Sequence, residues 1–141
     1  MSGKDRVFEL CDVVRETGYA IHRFHGPGHL EKIYENALVH RLRKDGIDVE
    51  QQYPINDSDE DGALLGEYKA DLLLEGLLVV ELKAARAVAE GHVAPLLGYL
   101  RGSGIEHGLL VNFGVAKFHI KKYATLESQR CHTMKSPDPN A

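Results

Sequence analysis

No stretch of this chain reaches the roughly 20 consecutive apolar residues that span a bilayer as a helix. The start, Met1-Ser2-Gly3-Lys4-Asp5-Arg6, leads into a mixed polar segment without the apolar core of a signal peptide, so a cytosolic location is expected. Cysteine is scarce: Cys11 and Cys131 are the only two, far apart and in no Cys-x-x-Cys pair, which argues against a disulfide or a zinc site. The eight histidines show no zinc-ligand spacing, although His22, His25 and His29 cluster around a Gly-Pro-Gly loop where they either touch phosphate or face water. There is no internal repeat. Positive charge is not in excess: the net charge of −4 gives no support to a general affinity for nucleic acid. Asp57, Asp59, Glu60 and Asp61 fall in one acidic loop, and the rest of the chain is neutral. Basic residues recur at Arg41, Arg43 and Lys44, at Arg86 and Arg101, and at Lys117, Lys121 and Lys122. They either line one surface or sit on ordinary solvated faces.

What the chain does have is enough material for one domain: 141 residues, 43% of them hydrophobic. Residues 5–24 read as a helix, because Val7, Leu10, Cys11, Val14, Gly18 and Ile21 keep the spacing of one apolar face. Cys11 lies on that stripe and reads as a core residue. His25-Gly26-Pro27-Gly28 breaks the pattern. A second helix is expected from about His29 to Lys44, with Leu30, Ile33, Tyr34, Ala37, Leu38 and Leu42 as its stripe and Asp45-Gly46 as its stop. Residues 47–55 look extended, with Pro54 suited to an edge strand or a strand end. Strands follow at about 64–74 and 77–83, joined by a turn at Glu75-Gly76. A third helix fits about 92–102, and further strands fit 107–113 and 117–123. Beyond residue 126 periodicity is lost and a frayed tail is expected. The order gives a mixed α/β sheet with helices packed on it, residues 1–125 as one domain and 126–141 as the tail.

The most informative cluster is Asp71, Glu81 and Lys83. In a strand, residues two apart point to one face, so Glu81 and Lys83 share a side. The hairpin can bring Asp71 beside them. Two carboxylates and an ammonium at a sheet end suit phosphodiester chemistry with Mg²⁺ or Mn²⁺, because carboxylates are hard oxygen ligands. The ammonium can orient or deprotonate a water, or stabilise developing negative charge. The plainer reading is a solvated ion pair of small energetic worth. Against it, Leu77 to Val80 is a continuous apolar run of the kind buried on both faces, and charges directly after such a run tend to lie at a sheet edge or cleft.

Gly28-His29-Leu30-Glu31-Lys32-Ile33-Tyr34 follows the pattern Gly-x-x-Glu-x-x-Tyr. It is followed by Glu-Tyr-Lys-Ala-Asp at 67–71, Val-Val-Glu-Leu-Lys-Ala at 79–84, Leu-Leu-Gly-Tyr-Leu-Arg at 96–101 and Gly-Leu-Leu-Val-Asn-Phe-Gly at 108–114. In that order and spacing the chain resembles the GxxExxY family, grouped with the PD-(D/E)xK nuclease superfamily, over about residues 5–122. The resemblance implies a restriction-endonuclease-like mixed sheet flanked by helices. It implies Asp71 as a metal-binding aspartate, Glu81 and Lys83 as the (D/E)xK pair, and Glu31 as the helix acid that many members add as a further ligand. The helical wheel agrees on Glu31, which falls between Leu38 and Leu42 at ~100° per residue. A first-turn acid favoured by the helix dipole is the plainer account. The Leu82 carbonyl would be a further metal ligand, and Tyr34, Arg86 and His92 are candidate substrate contacts. Tyr34 reads equally as a core tyrosine, and His92 as a solvated residue at a helix start.

One position departs from the family. Relatives often carry a glutamine before Leu-Leu-x-Tyr-Leu; here it is Pro95, with no polar side chain and no N–H. Two main readings follow. One is an Mg²⁺-dependent endonuclease acting on DNA, with a homodimer among the options. The other is a binding or accessory module that keeps the nuclease fold with weak or no chemistry. The helix at 5–24 reads either as a dimer or protein contact or as a cover for the sheet.

Overall fold

The computed structural model describes residues 3–85, 90–114 and 117–125. Arg86, Cys131 and the tail at 126–141 lie outside the described residues, as does the side chain of His92. Helix α1 spans Gly3–His25 and buries Val7, Leu10, Cys11, Val14, Gly18 and Ile21, the stripe expected from their spacing. It ends where Gly26, at φ +74°, takes the left-handed position after the last turn and returns its N–H to the His22 carbonyl at 2.8 Å. Helix α2 spans Glu31–Lys44 and has no side-chain cap at Leu30. Asp45 and Gly46 stop it, with the Gly46 N–H on Arg43 and the Ile47 N–H on Leu42. None of the described helices is long and apolar enough to cross a membrane.

Five strands form one mixed sheet in the order β1-β2-β3-β4-β5. They are β1 Val49–Ser58, β2 Leu64–Leu74, β3 Leu78–Lys83, β4 His107–Asn112 and β5 His119–Ala124. Helix α3, Glu90–Ser103, lies in the chain between β3 and β4, the only parallel pair among the described residues. That is the long crossover a parallel pair requires. Strand β1 is an edge, which tolerates the missing N–H of Pro54. The acidic loop is shorter than expected, because β1 runs on to Ser58 and β2 already begins at Leu64. Between β2 and β3 the connection is three residues long, Glu75, Gly76 and Leu77, with Glu75 at φ 51°, Gly76 at φ 68° and the Leu77 N–H on the Leu74 carbonyl. Positive φ at both positions is the hairpin geometry whose twist matches the strands.

Strand alternation divides the core. Leu72, Leu74, Leu78, Val80, Leu82, Leu109 and Val111 pack with the stripes of α1 and α2. Leu73, Val79 and Leu110 pack with Leu96 and Leu100 of α3. Each buried leucine or valine contributes on the order of 1.5–3 kcal/mol. With α-helices on both faces, β3 is an unbroken buried run from Leu78 to Leu82. Asp71, Glu81 and Lys83 have the parity of Leu73 and Val79, so the strands direct all three to the α3 side of the sheet.

Candidate active site

The β2–β3 ladder stops before either strand does. Pairing runs from Leu74↔Leu78 to Leu72↔Val80 and no further. The next pair in register would be Asp71 with Glu81, and there side chains replace the ladder. The Asp71 N–H donates to Glu81 Oε1 at 3.0 Å, and the Leu82 N–H donates to Asp71 Oδ2 at 2.8 Å. Each carboxylate thus satisfies a backbone donor of the opposite strand, which would otherwise be left unpaired in the interior. The arrangement opens the two strands and fixes both carboxylates in the gap.

The far end of β3 is clamped separately. Asn112, buried at the end of β4, accepts from the N–H groups of Ala85 and Gly114 at 3.1 and 2.9 Å and donates to the Ala85 carbonyl at 3.0 Å. The Phe113 N–H reaches the Lys83 carbonyl at 2.8 Å. Lys83 is therefore held at its backbone while its half-buried side chain remains free to serve the gap.

Burial pushes the Glu81 carboxyl up to about 8, and the nearby charge of Asp71 pushes in the same direction. Asp71 is also raised, first by burial and then by the Glu35 carboxylate, against the hydrogen bond from Leu82. Lys83 pulls both acids downward, but it does not cancel their burial. The two groups titrate as a pair, and burial with mutual repulsion favours one shared proton near neutral pH. Tyr99 of α3 is raised by burial and then by the fields of Glu81 and Asp71.

Buried Glu81 and partly buried Asp71 are mutually repelling carboxylates, hard oxygen donors that a divalent cation would neutralise, and Mg²⁺ is commonly held by only one or two protein carboxylates. The donor set fits such an ion in that limited sense. Among the described residues no group of three or more His, Cys, Asp or Glu side chains is arranged to hold a metal.

Of the acids on α2, Glu35 is the one whose field reaches Asp71. Glu31 is exposed in the first turn of α2, whereas Glu35 is 5% exposed, and its field is the one Asp71 feels. The wheel identified the correct face but the wrong turn: the two residues are four apart, so they differ by only ~40° on a wheel and by a full turn along the axis. Glu35, Leu38 and Leu42 have the i, i+3, i+7 spacing of a buried stripe, a signal that could have found it.

Glu35 accepts from Lys32 Nζ at 2.9 Å, from Gln51 Nε2 at 2.8 Å and from Gln52 Nε2 at 3.1 Å. Gln52 is the one residue of β1 with a left-handed backbone, at φ 53°, which costs on the order of 1–3 kcal/mol outside glycine. No sequence periodicity marks it.

Tyr34 is not at the surface to meet a substrate. It is 1% exposed and lies flat on Phe113, with ring centroids 4.6 Å apart. Its hydroxyl donates to the Gly26 carbonyl at 2.6 Å and accepts from the His29 N–H at 3.1 Å. Tyr34 therefore pins the Gly-Pro-Gly loop to the core, which accounts for the spacing from Gly28 to Tyr34 without any catalytic role. Leu82 contributes its amide to Asp71 and buries its side chain under α1 and α2. Pro95 is exposed within α3, one helical turn before Tyr99.

Comparison with known proteins bears on the family and the fold. A family model described as the PD-(D/E)XK nuclease superfamily matches residues 8–123, most of the chain. Among solved structures, the crystal structure of SSO0001 is similar in fold, with a TM-score of 0.53 and 18% identity over 74% of this chain. This chain spans 55% of the length of that protein. An alkaline exonuclease from Laribacter hongkongensis aligns at a TM-score of 0.43 and 9% identity, over 80% of this chain and 69% of the exonuclease. No curated protein matches the chain.

Proposed function

The chain belongs to the PD-(D/E)XK nuclease superfamily, and from that premise we propose that it hydrolyses DNA phosphodiester bonds as an Mg²⁺- or Mn²⁺-dependent endonuclease. The observation that carries the reading is the gap between β2 and β3, where Asp71 and Glu81 each hold the other strand's backbone and Lys83 follows on the Glu81 face of β3. Nucleases of this superfamily generally use divalent metal ions. Asp71 and Glu81 would hold the ion, with the Leu82 carbonyl as a further oxygen ligand and Glu35 in the part of the helix acid.

When bound, the metal supplies a Lewis acid for the phosphate and lowers the pKa of a bound water. The protein's own groups do the rest. The Lys83 ammonium, on the Glu81 face of β3, positions the attacking water and meets the negative charge that develops on the phosphate. The raised affinity of Glu81 for a proton lets the pair take up or release one near neutral pH as a cation leaves or enters. Burial under α3 lowers the local dielectric, which strengthens each of these interactions.

The test is cleavage of linear, single-stranded and branched DNA by the purified protein with Mg²⁺ or Mn²⁺, beside Asp71→Ala and Lys83→Ala. Loss of one charge-stabilising donor is expected to slow cleavage on the order of 10²–10³-fold in Lys83→Ala. Its fold should be kept, since Lys83 is the last residue of β3 and the one residue of that strand that is not buried. Cleavage unchanged in both variants would assign the activity to a contaminant. Absence of cleavage of every substrate, with metal-independent binding of DNA, would favour the accessory module. Pro95→Gln would then be the first variant to examine.

A further inference from the structure

We propose that Gln52 is a positioning residue of the carboxylate gap, its side-chain amide tying Glu35 on α2 to Asp71 on β2 so that Asp71 is held in the orientation a divalent cation requires. The inference rests on the functional reading above and adds to it a residue that acts through Asp71.

Three observations converge on Gln52. The first is the backbone. Pairing of β1 with β2 runs Gln51↔Leu72 and then Tyr53↔Ala70, so Gln52 and Asp71 are skipped at the same register position. Gln52 sits there at φ 53°, a conformation that a side chain other than glycine adopts only when its surroundings impose it. Asp71, the residue opposite, is also the point where β2 parts from β3. Both neighbours of β2 therefore release it at the same residue, and Asp71 would be loosely held if nothing replaced the ladder.

The second is the side chain. Gln52 Nε2 lies 3.1 and 3.4 Å from the two oxygens of Glu35 and 3.5 Å from Asp71 Oδ1. A primary amide has two N–H donors and can serve two acceptors at once. Placed between two carboxylates, it offsets their repulsion without adding a charge of its own. Neither a glutamate nor an apolar residue can do that.

The third is the contrast with its neighbour. Gln51 has the same side chain one residue earlier and bonds Glu35 and Asn36. Only the residue with the left-handed backbone reaches Asp71. Asp71 Oδ2 is already committed to the Leu82 N–H, so the amide acts on the remaining oxygen, Oδ1. Together the two contacts fix the carboxylate at both ends. Outer partners of metal ligands act in this way, by holding the first ligand's orientation.

The experiment compares wild type, Gln52→Gly and Gln52→Asn in the full chain. It reads Mn²⁺ affinity by calorimetry and the thermal midpoint in chelator. Glycine adopts φ 53° freely, so Gln52→Gly should keep or raise the metal-free midpoint, while Mn²⁺ binding weakens about 10–100-fold. Asparagine tolerates the same backbone but is one methylene shorter and cannot span both carboxylates, so Gln52→Asn should weaken Mn²⁺ binding in the same range. Mn²⁺ affinity within about twofold of wild type in both variants would overturn the positioning role and leave the functional reading standing. A clear fall in the metal-free midpoint of Gln52→Gly would also overturn it, by showing that the side chain serves the fold. Failure of wild type itself to bind Mn²⁺ would overturn this inference and the functional reading together.

Discussion

The two ends of the β2–β3 hairpin treat a carboxylate in opposite ways. At the turn, Glu75 receives both arms of Arg6 from α1, at 2.8 and 2.7 Å. That hydrogen bond holds the Glu75 carboxyl below its ordinary value. Three residues along each strand from the last turn pair, Asp71 and Glu81 face each other instead of a cation, and burial holds both above their ordinary values. The first end is built for stability, with opposite charges in a bidentate pair. The second keeps like charges buried together, which costs stability and creates a place where a cation or a proton is wanted. Stored electrostatic strain of this kind concentrates where a protein has chemistry to do.

The largest expected effect comes from cancelling that strain. In Glu81→Gln the side-chain oxygen can still accept from Asp71, and the new amide can donate to the Asp71 carboxylate, so repulsion becomes a hydrogen bond. DNA cleavage should be lost. Metal-free stability at pH 8, measured by urea unfolding, should rise by about 2 kcal/mol, given that one pKa unit corresponds to about 1.4 kcal/mol. A variant that is both inactive and less stable would break the comparison.

Next in size is the effect of a cation. Binding to the folded state alone raises stability by about 2.7 kcal/mol at a ligand concentration of 100 Kd. Thermal unfolding with Mn²⁺ against chelator should show that gain in wild type and none in Asp71→Ala, while Arg6→Met should show it in full.

The pH dependence then separates the two ends. In the folded protein Glu81 keeps its proton up to about 8, and in the unfolded chain only up to the ordinary value of 4.5. The folded state binds more protons across that window. The contribution of Glu81 is thus most favourable below about 4.5 and falls as pH rises toward 8. Glu75 has the opposite sign. Its folded value lies below 4.5, so its contribution is present above 4.5 and is lost as pH falls through the folded value. Urea unfolding in chelator should therefore show Glu81→Gln removing a decline between pH 5 and 8, and Glu75→Gln removing a decline only in acid.

The smallest effect is at the turn. Arg6 and Glu75 are partly exposed, which screens their pair. Arg6→Met should cost about 1 kcal/mol and leave DNA cleavage unchanged.

Much of this was legible before any coordinates. The apolar stripe of α1, the Glu75-Gly76 turn and the unbroken run of β3 follow from local rules of period and backbone sterics, and all appear in the structure. The shared face of Glu81 and Lys83 was legible for the same reason, because strand parity is a local property. That Asp71 lies opposite Glu81 depends on the three-residue connection, since the two-residue turn read from Glu75-Gly76 would set it opposite Val80 on the other face.

The helix acid was legible only to within one turn. A wheel describes the angle around an axis and says nothing of how far along that axis the sheet extends. Glu31 is exposed in the first turn of α2, whereas Glu35, one turn on, is buried against Gln51 and Gln52 of β1. Gln52 was not legible at all, because its backbone conformation is imposed where β1 and β3 both let go of β2. The sequence by itself determined the elements, their order and the three charged residues of the hairpin, since each depends on neighbours a few positions away. The company those residues keep depends on where three separate segments meet, and only the tertiary structure decided it.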